Sequence, residues 1–252
     1  MNPQLMALFE SGFNILYLAL VWALVVLMTR KMPEVSEKDR STAGLMRIAF
    51  ILLAAGDTGH VGFRVLGYLL GGIDTQVNIL GSSMSLAGLG TLTTSFTVTL
   101  FYMILVFVWQ KRFNHGSNGL TSLLLAAGLV RLMLMALPGN DWAAVVPPQP
   151  MSIYRNIPLM VQGIGVIGLF LYSGYRQKDR TFQTIGWLIC VSFAFYLPVI
   201  FFAQQVPMLG LLMIPKTCAY LAVAWVAYQN MWLHKGMAPQ AFERAVIKPT
   251  VQ

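Results

Sequence analysis

The sequence predicts an all-α membrane protein: a seven-transmembrane-helix bundle, N-out and C-in, with short loops. Three observations carry that prediction. Of 252 residues, 57% are hydrophobic and only 10% charged, against about 25% charged in an ordinary soluble domain; mean hydropathy is +0.67. Seven apolar segments can be drawn, at about 9–29, 45–71, 84–110, 119–137, 157–175, 182–204 and 208–233, each near the ~17–25 residues that span a bilayer. The basic residues fall in every second loop, and so on one side, in the pattern that marks cytoplasmic loops.

Taken in order, the first segment has no positively charged stretch before it, so it reads as a retained helix and not a cleaved signal peptide. Arg30, Lys31, Lys38, Arg40 and Arg47 follow it. The second and third segments are long and glycine-rich, which predicts tilt, kinks or extension beyond the membrane. Lys111 and Arg112 follow the third, and Arg176, Lys178 and Arg180 follow the fifth. The opposite loops hold almost no Lys or Arg, with Arg155 the exception. Trp109, Trp142 and Trp232 fall near segment ends, as interfacial aromatics do.

The outer loop 138–156 is rich in Pro, Gly, Asn and Asp, a turn-forming composition that suits a stiff connector or a cap over the outer mouth. Pro158, Pro198, Pro207 and Pro215 interrupt or open the last three helices. Such prolines are tolerated where neighbouring helices or water satisfy the freed carbonyls, as beside a cavity. No loop is long enough for a soluble domain, so residues 1–235 form one transmembrane domain and 236–252 a polar cytoplasmic tail.

Composition also excludes. The formal charge of +8 lies mostly in loops, where it reports orientation, so no nucleic-acid partner is implied. Cys190 and Cys218 lie in apolar runs and read as small buried hydrophobes. Three histidines, His60, His115 and His234, are too few and too scattered for a histidine-based metal site, and no metal or cofactor is expected.

The chemistry sits in Gly56-Asp57-Thr58-Gly59-His60-Val61-Gly62-Phe63-Arg64. Positions 57, 60 and 64 share one stripe of a helix. Ionisable groups facing lipid cost roughly 2.5–3.5 kcal/mol each, so this stripe should face a bundle interior or cavity. The glycines at 56, 59 and 62 would let another helix pack close beside it. With the topology above, Asp57 lies near mid-membrane and Arg64 about 10 Å farther out, while Arg131 and Lys216 also fall in the outer halves of their helices. Thr91, Thr93, Thr94, Ser95, Thr97, Thr99, Asn156 and Gln162 add to the same half; the threonines suit helix–helix packing.

This asymmetry predicts an outward-opening pocket closed at the cytoplasmic end. Arg64, Arg131 and Lys216 against Asp57 leave two unmatched positives if His60 is neutral, and an unpaired buried cation is strongly disfavoured. The expected occupant is therefore an anionic, partly apolar small molecule or lipid headgroup, held by Asp57, His60, Arg64, Arg131, Lys216, Thr94 and Gln162 in a receptor, sensor or transporter. On this reading, Arg131→Ala or Lys216→Ala removes ligand response without disturbing folding. The alternative is an intramembrane enzyme for a lipid-like substrate, with Asp57 and His60 as acid–base pair. The expected location is a plasma membrane, best a bacterial inner membrane.

Lys216 within the seventh helix, with Tyr196-Leu197-Pro198 on the sixth, resembles the arrangement in microbial rhodopsins. That resemblance implies a retinal-binding lysine at Lys216, for which Asp57 would have to replace the counterion from another helix. The chain departs from the family at Leu212, where an aspartate is usual, and in lacking Arg and acidic residues in the membrane-embedded part of helix three.

Overall fold

The computed structural model describes residues 3–79 and 81–233; the polar tail, with His234, Lys235, Arg244 and Lys248, lies outside the described residues. Seven helical segments are each long and apolar enough to cross a membrane: α1 (Pro3–Arg30), α2 (Glu37–Leu69), α3 (Leu86–Phe113), α4 (Gly119–Ala136), α5 (Met151–Arg176), α6 (Arg180–Phe202) and the span Met208–Leu233, whose α-helical part is α7 (Met213–Tyr228). Helices adjacent in sequence pack against each other, and α7 returns to touch α1. The ring is closed, with α3 drawn inward against α5.

Local chemistry sets the helix starts. The second helix begins at Glu37, not near 45, because the Ser36 hydroxyl caps Asp39 N, with Glu37 and Asp39 in the first turn. The connection between α1 and α2 is accordingly short and contains a 3-10 turn, Met32–Glu34. Asn118 and Thr121 form a reciprocal capping box on α4, and the Asp179 side chain caps α6. The fifth helix starts at Met151, so Arg155 belongs to its buried face and not to a loop.

One element was not expected. Strands β1 (Gln76–Ile79) and β2 (Ser82–Ser85) form an antiparallel hairpin with Gln76 opposite Ser85 and Ile79 opposite Ser82. Gly81, at φ +83°, makes its turn. The hairpin docks on the loop before α5: Ser85 N donates to Trp142 O at 3.0 Å and Gln76 Nε2 to Ala143 O at 3.0 Å. Gly88 is required there, since a Cβ would sit 2.0 Å from Trp142 O.

The bundle thus has a hairpin end and a basic end. Loops 70–85, 137–150 and 203–212 at the hairpin end contain no Lys or Arg, while the basic end carries Arg30, Lys31, Lys38, Arg40, Lys111, Arg112, Arg176, Lys178 and Arg180. Trp109 and Trp232, expected at the interface, are buried instead: their indole N–H groups donate to Ser173 Oγ at 2.9 Å and Met28 O at 2.8 Å. The exposed aromatics are others. Tyr172, Tyr175 and Trp187 cluster near the basic end, and Tyr68 and Tyr154 stand near the hairpin end. Tyr154 and Tyr172 are 18 positions apart on α5 (172 − 154), five turns and about 27 Å on one face. Exposed Ile157, Val161 and Ile164 fill the stripe between them.

Toward the basic end the interior is a continuous apolar core in which Phe113, Phe170 and Phe182 meet edge to face. Arg112 closes that end. Its guanidinium bonds Asp39 at the start of α2 and Asp179 Oδ2 before α6, the latter at 2.7 Å, and lies 5.4 Å from the Phe182 ring centroid. Of the cysteines, Cys190 is partly buried, whereas Cys218 is exposed and not a core residue as expected.

Candidate functional site

Glycine brings the stripe on α2 against α3. A Cβ at Gly56 would fall 1.8 Å from Thr97 Oγ1, one at Gly59 2.6 Å from Thr93 Cγ2, and one at Gly90 3.1 Å from His60 Cα. The two helices therefore touch nearly backbone to backbone beside Asp57 and His60. Gly62 has open space around it and serves no such contact. The α3 hydroxyls mostly turn back on their own helix: Thr91, Thr93, Thr97 and Thr99 each donate to the carbonyl four residues earlier. Thr94 also crosses, donating to Gly56 O at 3.1 Å.

Beside this seam lies a cavity of about 450 Å³ in the hairpin-end half of the bundle. Every helix contributes to its lining, through Tyr17, Asp57, Thr94, Arg131, Leu159, Phe193 and Lys216 in chain order. His60 and Arg64 line it too, so the five ionisable side chains predicted to converge share one cavity with Thr94.

Their engagements differ. Asp57 accepts a hydrogen bond from Tyr17 Oη at 2.8 Å and makes no ion pair within 4 Å among the described residues. Arg64 is engaged by an interaction of its own. Arg131, only 1% exposed, donates to Arg155 O at 3.0 Å, Ser95 O at 3.0 Å, Thr99 Oγ1 at 2.7 Å and Asn156 Oδ1 at 3.2 Å. Those bonds use four of the five N–H groups of a guanidinium. Arg131 therefore ties α4 to α3 and α5, and the expectation that its loss leaves folding intact gives way to a structural share. Arg155 supports the tie from behind, with Nη1 donating to Asn140 Oδ1 at 3.0 Å and the Trp142 ring 4.7 Å away.

Lys216 is held differently. Its Nζ lies 4.4 Å from the Tyr196 ring centroid and 5.7 Å from that of Tyr220. Among the described residues, no carboxylate or hydrogen-bond acceptor meets the ammonium. Aromatic faces stabilise a cation without using its N–H donors, so the donors of Lys216 stay available to the cavity. Tyr102, Phe193, Tyr196 and Tyr220 line the same space, and the Tyr102 and Tyr220 hydroxyls are 2.5 Å apart.

Gln162 is the exception among the expected site residues. It is fully buried but is not part of the cavity lining. It lies between α4 and α5, where a Cβ on Gly128 would be 2.6 Å from its Nε2, and neither amide atom has a hydrogen-bond partner among the described residues. Sequence reasoning passed over Tyr17, Tyr102 and Tyr220. For Tyr220 a signal existed, because it follows Lys216 by one helical turn; Tyr17 and Tyr102 had none, their roles depending on which helices meet. Among the described residues, no three His, Cys, Asp or Glu side chains come together as metal ligands would. No protein-family model matches the chain, and no curated protein or solved structure matches it either.

Proposed function

We propose that this chain is a multi-pass plasma-membrane protein, N-out and C-in, whose cavity takes an anionic, partly apolar molecule or lipid headgroup from the outer side, as a receptor, sensor or transporter does. The observation that carries the reading is Lys216: an ammonium inside the bundle, facing a cavity of about 450 Å³ with its hydrogen-bond donors unspent. A buried cation needs a counter-charge. Asp57, already bonded to Tyr17, offsets it only across a gap longer than an ion pair, whereas an incoming anion would meet the ammonium directly.

The orientation rests on the basic residues, which crowd one end as in cytoplasmic loops. Membrane insertion is supported by the exposed aromatic pair on α5, about 27 Å apart and so near the ~30 Å of the hydrocarbon core. The apolar packing and the Arg112 clamp toward the basic end favour reception or sensing over passage.

Native mass spectrometry of the purified protein tests the reading. An acidic small molecule or lipid is expected to co-purify with the wild type and to be lost from Lys216→Gln. Equal retention of that species by both proteins would sink the anion pocket.

A second reading has one observation in its favour. A lysine amine reaching an aromatic-lined cavity that also holds Asp57 has the parts a retinal Schiff base and its counterion would use. Retinal added to the protein would then give a red-shifted visible band, bleached and trapped on Lys216 by borohydride; no such band ends this reading.

A further inference from the structure

We propose, building on the anion-pocket reading, that the molecule the cavity selects is a monocarboxylate on a flat apolar body, in preference to a phosphate. Donor supply is the first argument. Three cationic side chains line the cavity, but Arg131 spends four N–H groups on the scaffold and Arg64 is engaged by an interaction of its own. Lys216 offers the uncommitted donors, and one ammonium can serve the two oxygens of a carboxylate. A phosphate monoester brings three strong acceptor oxygens. One ammonium cannot reach all three, and an acceptor left unmet away from water is costly.

Shape is the second argument. Tyr102 and Phe193 meet with ring centroids 5.6 Å apart and planes at 85°, and Phe193 and Tyr196 at 6.4 Å and 87°. A wall of mutually perpendicular rings accepts a flat ring, which can lie face-on to one and edge-on to the next. The carboxylate position is tied to that wall, because the Lys216 ammonium lies 4.4 Å from the Tyr196 ring centroid. An anion on Lys216 therefore carries its body onto the aromatic surface. The cavity's volume, about 450 Å³, is within the ~300–1,000 Å³ of small-molecule pockets.

The experiment is calorimetric titration of the purified full chain in uncharged maltoside micelles at neutral pH. The probes are 2-naphthoate, its neutral amide, 2-naphthyl phosphate, octanoate, and phosphatidylglycerol in mixed micelles. Naphthoate is expected to bind at least tenfold tighter than each of the others. Lys216→Gln should erase the preference for naphthoate over the amide, and Lys216→Arg should retain it, which keeps the test decisive if the glutamine variant misfolds. Tyr196→Leu should erase the preference over octanoate. Phosphate or phosphatidylglycerol binding as tightly as naphthoate, in a Lys216-dependent way, overturns the carboxylate inference and leaves the anion pocket standing. Octanoate binding as tightly overturns the flat body. If none of these anions binds the wild type, the pocket reading itself falls.

Discussion

The two halves of the bundle solve opposite problems with the same seven helices. Toward the basic end, Phe113, Phe170, Phe182 and their neighbours fill the interior, and Arg112 ties α3 to Asp39 and Asp179. Toward the hairpin end the helices part around a cavity, and polar side chains do the tying. Arg131 crosses to α3 and α5, Tyr17 reaches Asp57, and Asn140 bonds carbonyls at the end of α4 and accepts from Arg155. Around this space the walls are tied to one another by hydrogen bonds as well as by apolar contact. Lys216 is the exception within the polar half, being held by ring faces.

That contrast can be broken by substitution, and the largest effect should come from Arg131. Arg131→Met keeps a long side chain but removes four hydrogen bonds that tie α4 to α3 and α5. It should lower stability by about 3 kcal/mol, seen as a lowered Tm in detergent; an unchanged Tm would remove Arg131 from the scaffold. Arg112→Ala should cost less, about 1–2 kcal/mol, because its ion pairs are partly solvated. Its loss should also loosen the sealed end, read as faster amide exchange at the starts of α2 and α6 with the cavity end unaffected. The smallest effect should have the opposite sign. Gln162→Leu removes two buried amide atoms that lack partners and should stabilise by about 1 kcal/mol; a clear loss of stability would mean that the amide is serving a polar partner after all.

Much of the architecture was legible because membrane segments announce themselves by length and apolarity, and seven such helices are present. The 57, 60 and 64 stripe was legible for the same kind of reason, since helical spacing alone puts those residues on one face. What escaped was local or non-local in a way that periodicity does not report. Capping by Ser36 lengthened α2. The 76–85 hairpin is too short and polar to stand out beside the spans. Gln162 was grouped with the pocket by its depth, although depth does not say which way a helix face turns, and it points between α4 and α5. Trp109 and Trp232 lie near helix ends yet bury their rings, their indole N–H groups finding partners on other helices in Ser173 and Met28.

By itself, the sequence determined seven apolar helices, the basic bias of one end, and the gathering of ionisable residues toward the other. These follow from composition and from the 3.6-residue period, both local properties. Only the tertiary structure decided how those ionisable groups differ from one another. Arg131 became a tie and Lys216 an uncommitted donor because hydrogen-bond partners come from other helices, and which helices touch depends on packing: glycines that admit α3 against α2, and a ring that returns α7 to α1.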